Sequence, residues 1–93
     1  MEVHLVTDAS RLAEWEILRY LALHPDAKDT AAGIASWWVP GGFGITPQDV
    51  RTALDELVSR GWVDVWQSES ADPIYSLRAA RSPDVAAYLN RPH

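Results

Sequence analysis

The sequence predicts an α+β domain that is mainly helical and carries a small β-hairpin. Three segments place apolar residues at helical spacing, each bounded by proline, glycine or a capping side chain. After Gly61 the pattern changes from helical to alternating, which is the mark of strands. The 93 residues contain no repeat, low-complexity tract or Ser/Gly-rich linker, so 1–93 reads as one domain.

Each element has its own signal. Glu2 to Thr7 is short and rich in β-branched residues, so an edge strand fits within 1–8. Asp8 or Ser10 offers an N-cap ahead of Leu12 to Leu21, a helix-promoting stretch that is apolar over most of its circumference. That pattern suits a central helix packed on several sides. It ends at His24-Pro25, because the residue before proline is pushed out of the α region. A second helix begins at Asp29 or Thr30, with Ala31, Ile34, Ala35 and Trp38 on one face. Its Trp37 then lies about 100° around the helix from Trp38. Val39 to Gly44 is a glycine-rich loop.

The third helix carries the clearest pattern. Thr46 caps it, Pro47 takes the first helical position, and Asp49 complements the N-terminal dipole. Val50, Ala53, Leu54, Leu57 and Val58 form its apolar stripe, and Gly61 stops it. Trp62 to Trp66 then reads as a strand, Gln67 to Pro73 as a turn, and Ile74 to Leu77 as the return strand. A short helix starts at Ser82-Pro83-Asp84 and continues through Val85, Tyr88 and Leu89, within 82–90. The expected core comprises Ile17, Leu18, Leu21, Ile34, Trp38, Val50, Leu54, Leu57, Val63, Tyr75 and Leu77. If Val63 and Val65 face inward with Tyr75 and Leu77, alternation turns Trp62, Trp66 and Ile74 to the opposite face.

Composition narrows the function classes. A 47% hydrophobic content is normal for a globular chain, and no cysteine is present to make a disulfide or a thiolate metal site. No run approaches the roughly 18 apolar residues of a membrane helix, and the N-terminus lacks a basic, apolar leader pattern. A soluble cytoplasmic protein with no membrane partner is expected. His4, His24 and His93 lie far apart in metal-free spacing, and no Lys-Ser/Thr follows Gly41-Gly42-Phe43-Gly44. With no nucleophile beside a plausible base, neither enzyme activity nor a cofactor is expected.

The order helix, helix, loop, helix, hairpin resembles the winged helix-turn-helix domains of bacterial regulators. The motif is Val50-Arg51-Thr52-Ala53-Leu54-Asp55-Glu56-Leu57-Val58-Ser59-Arg60-Gly61-Trp62-Val63, which is similar to that family's recognition helix and first wing strand. Tyr75-Ser76-Leu77 matches its return strand, and Ile17 to Leu21 looks like its first helix, so the resemblance spans about residues 11–78. It implies a three-helix core, a two-stranded wing and a small non-catalytic protein that binds double-stranded DNA as a transcriptional regulator. Thr46, Gln48, Arg51 and Thr52, outward on the N-terminal half of the third helix, would then read bases.

Three features depart from the family pattern. The segment from Val39 to Ile45 is long and carries Phe43, and the wing tip Gln67 to Asp72 holds acids without Arg or Lys. The third helix sets Arg51 and Arg60 against Asp49, Asp55 and Glu56. Thirteen acidic residues against eight basic ones give a net charge of −5, whereas phosphate neutralisation needs cations. A winged helix turned to protein contact, in an assembly or a homodimer, is the alternative. Trp37, Phe43 and Trp66 are its candidate contact residues, because aromatic side chains dominate interface centres.

Overall fold

The computed structural model describes residues 8–39, 44–69 and 71–90. The strand expected at Glu2–Thr7, together with Phe43, His4 and His93, lies outside them. Helix α1 spans Asp8–Leu23, and a two-residue strand β1 (Lys28–Asp29) follows. Helix α2 begins as an α-turn at Ala31–Gly33 and continues as a π-helix at Ile34–Trp38. Helix α3 (Pro47–Arg60), strands β2 (Val63–Ser68) and β3 (Ala71–Leu77), a 3₁₀ turn (Ala79–Arg81) and helix α4 (Ser82–Leu89) complete the order. The fold is α+β, with an antiparallel three-stranded sheet in the order β1-β3-β2.

The expected sheet of two strands is therefore one strand short. Lys28 pairs with Ser76 and Asp29 with Tyr75. These two polar residues have no strand propensity of their own, so the pairing partner in β3 creates the strand. The wing is also tighter than expected. Ser68 pairs with Ala71, which places Ala71, Asp72 and Pro73 inside β3 rather than in the turn. Asp and Pro are poor strand formers, and the regular register that pairs Val65 with Tyr75 and Trp66 with Ile74 shifts there, at an irregularity between Trp66 and Ser68.

Local chemistry sets the helix boundaries. Helix α1 already contains Asp8 and Ser10, and Ser10 is a buried helical residue, so it does not cap α1 from outside. For α2, the Thr30 hydroxyl accepts from the Gly33 N–H at 3.1 Å, while the Asp29 carboxylate accepts from the Thr30 N–H at 2.8 Å. A Cβ on Gly33 would overlap that carboxylate, which explains glycine there. At the other end the Val39 N–H reaches Ile34, five residues back. Helix α3 carries the expected capping box: Thr46 Oγ1 accepts from the Asp49 N–H at 3.1 Å, and Asp49 Oδ2 accepts from the Thr46 N–H at 2.8 Å. Gly61 ends it at φ 80°, the left-handed conformation that side chains resist.

One core joins these elements. Ile17, Leu18, Leu21, Ile34, Leu54, Leu57, Val50 and Val63 are fully enclosed, and Trp38 and Tyr75 are buried with them. Leu77 packs against this cluster from a half-buried position, and Ala13, Val39, Ala53 and Val85 belong to it as well. Tyr20 stacks on Trp38 at 4.6 Å, and Trp62 meets Tyr88 of α4 edge-on at 5.8 Å. Trp62 thus serves the core margin. Val65 is not buried as expected; it is 39% exposed, because burial falls away along β2 as the strand leaves the body of the domain.

Candidate functional site

The outward side of α3 and the β2–β3 wing form the candidate face. The capping box rigidly fixes the start of α3, so the side chains of its first turns are presented from a defined backbone. Thr46 is exposed, but its hydroxyl is already engaged, accepting from the Asp49 N–H and donating to Asp49 Oδ2 at 3.0 Å. Its role is capping, and the base-reading role implied for it has no free hydrogen to offer. Thr52 is half-buried and sits at a long 3.5 Å from Gln48 Nε2. Gln48 and Arg51 are exposed. Of the four residues, those two present side chains able to reach a partner.

The electrostatics of this face follow from which charges are already paired. Arg60 binds Glu14 of α1 at 2.7 Å and lies 3.6 Å from Glu56; its guanidinium also covers the Trp62 ring at 5.5 Å. Arg78 binds Asp64 at 2.7 Å, Arg81 binds Asp84 at 3.1 Å, and Arg19 binds Glu16 at 2.9 Å. Among the described residues Arg51 makes no ion pair, and neither do Asp55, Glu69 or Asp72 on the same helix and wing. One free cation therefore stands among three free carboxylates. Phosphate approaching this face meets net repulsion.

Trp37 is 79% exposed beside the buried Trp38, as helical spacing predicts. Trp66 is 68% exposed and its neighbour Val65 is 39% exposed, so the exposure of Trp66 reflects the strand leaving the domain rather than alternation. Neither exposed indole stacks on another ring among the described residues, and nothing places the two in contact.

Sequence reasoning missed the acids of α1. Glu14 and Glu16 are buried, and burial raises the Glu14 carboxyl above its ordinary range, with Arg60 opposing that shift. The partner of Glu14 lies 46 residues away, so no local spacing signals the pair. Among the described residues no three His, Cys, Asp or Glu side chains gather as metal ligands. Nor is any described helix long and apolar enough to cross a membrane. No protein-family model matches this sequence, and neither a curated protein nor a solved structure matches it.

Proposed function

We propose that the chain is a non-catalytic winged-helix module that docks on a protein partner through the outward side of α3 and the wing. The order of elements supports the winged-helix part: α1, β1, α2, α3 and then a hairpin whose second strand returns beside β1. The observation that carries the choice of partner is the charge of the face. Arg51 is outnumbered by Asp55, Glu69 and Asp72, and Trp66 stands exposed on the adjoining strand. A protein with a basic rim and an apolar pocket complements such a surface, and steering by charge favours it over a polyanion.

DNA binding, with regulation of transcription as its use, is the second reading. Its support is specific: Arg51 and Gln48 lie exposed on the N-terminal half of α3, where a recognition helix would offer a guanidinium to guanine and an amide to adenine. Fluorescence anisotropy with a labelled mixed-sequence duplex at low salt separates the two. The protein reading expects no saturable binding, since even non-specific phosphate attraction is opposed. Duplex binding that weakens steeply with salt and drops on Arg51→Ala by about 1–3 kcal/mol would establish the DNA reading instead.

A further inference from the structure

A cleft of about 230 Å³ opens where the start of α2, the start of α3 and the first half of β3 converge. Ala31, Pro47 and Pro73 give it apolar walls, and Arg51, Asp72 and Tyr75 give it polar ones. Arg51 and Asp72 share this cleft yet do not form an ion pair with each other or with any described residue. Among the described arginines, Arg19, Arg60, Arg78 and Arg81 are paired, and Arg51 joins Arg11 in making no ion pair. A ligand that carries a carboxylate and an ammonium on the same carbon offers a partner to each group.

Tyr75 is an independent indication. Only 7% of its surface is accessible, and it lines the cleft. Its hydroxyl has no hydrogen-bond partner among the described residues. The ring is enclosed while the hydroxyl stays open to water at the cleft wall, where a polar ligand atom can take the place of that water. The volume sets the size: it falls below the roughly 300–1,000 Å³ that holds drug-sized ligands. The apolar walls select the rest of the molecule.

We propose that this cleft binds a free α-amino acid with an apolar side chain. Its carboxylate lies on Arg51, its ammonium on Asp72, and its side chain against Ala31, Pro47 and Pro73. The Tyr75 hydroxyl supplies a further hydrogen bond to the carboxylate. The inference stands apart from the docking reading, although a bound ligand would occupy Arg51 and so change the charge of the docking face.

The test uses the full chain, labelled with ¹⁵N, and titrations of L-alanine, L-valine and L-leucine followed by amide shifts. N-acetyl-L-leucine, which lacks the ammonium, and L-leucine amide, which lacks the carboxylate, are the matched controls. Saturable shifts centred on Ala31, Arg51 and Tyr75 are expected with at least one amino acid. Each single-charge control should bind at least tenfold more weakly than leucine if leucine is the binder. Arg51→Gln and Asp72→Asn, both on exposed side chains, should each abolish saturation while leaving the remaining spectrum in place. Absence of saturable shifts with all three amino acids up to about 10 mM would overturn the proposal. So would equal binding of N-acetyl-leucine, because the cleft would then be a simple anion site without a role for Asp72.

Discussion

Replacing Arg60 with methionine would leave Glu14 enclosed between α1 and α3 without its counter-charge. The Glu14 side chain is 5% exposed and the Arg60 side chain 37%, with 2.7 Å between their charged atoms. Breaking a fully buried pair by removing one partner costs about 3–5 kcal/mol. Water reaches the Arg60 guanidinium, so the pair's share falls to about 2 kcal/mol. Loss of the guanidinium over Trp62 adds about 0.5–1 kcal/mol. At roughly 4–8 °C per kcal/mol for a domain of this size, the melting temperature should fall by about 10 °C or more.

The loss should depend on pH in a definite direction. Burial raises the Glu14 carboxyl above its ordinary value of 4.5, and Arg60 works to lower it. A group whose folded pKa is raised holds its proton more tightly in the folded state. Its contribution to stability is therefore fullest below the unfolded value and is lost as pH rises through the folded value. Without Arg60 the folded value moves higher still, so the Arg60→Met penalty should be small in acid and grow towards neutrality. Urea denaturation across a pH series measures this, and Glu14→Gln in the Arg60→Met background should recover most of the neutral-pH loss. A penalty that is constant with pH, or a double variant no more stable than Arg60→Met, would refute the assignment of Glu14 as the strained partner.

Other substitutions test the elements that build the face. Leu54→Ala, at a fully enclosed site on α3, should cost about 2–5 kcal/mol by urea denaturation. Thr46→Ala removes the N-cap and should cost about 1 kcal/mol, with amide exchange accelerated in the first turn of α3. Gly61→Ala forces a Cβ onto a left-handed residue and close to Arg78, so a loss of about 1–2 kcal/mol is expected in the same assay.

What was legible in the sequence was the local chemistry. Thr46, Pro47, Asp49 and Gly61 announce both ends of α3 because each acts within a few residues of itself. Trp37 and Trp38 separate correctly for the same reason, as helical rotation needs no knowledge of the rest of the chain. The misreadings occur where distant partners decide. Lys28–Asp29 becomes a strand because β3 is beside it, and Asp72-Pro73 is carried into β3 between the flanking pairs that Ala71 and Ile74 make with β2. Val65 is left without cover, since no periodicity reports how far a strand runs beyond its helix. The Glu14–Arg60 pair and the cleft around Tyr75 both join elements remote in sequence, so neither left a pattern to read.

The two exposed indoles bear most directly on what the module does. Trp37 and Trp66 touch solvent over most of their surface, so truncating either should change stability by no more than about 0.5 kcal/mol. Trp38, stacked on Tyr20 in the core, should by contrast cost about 3–5 kcal/mol when replaced by alanine. That contrast separates a structural role from a contact role within one pair of neighbouring residues. A large aromatic surface held in water gains nothing for folding, whereas at the centre of an interface one such anchor contributes about 2 kcal/mol or more. Trp66→Ala and Trp37→Ala should therefore keep the urea midpoint of the parent protein and, if the docking reading holds, lose association with its partner or with a second copy in sedimentation. Either variant unfolding like Trp38→Ala would make that indole a core residue, and unchanged association in both would remove them from the docking surface.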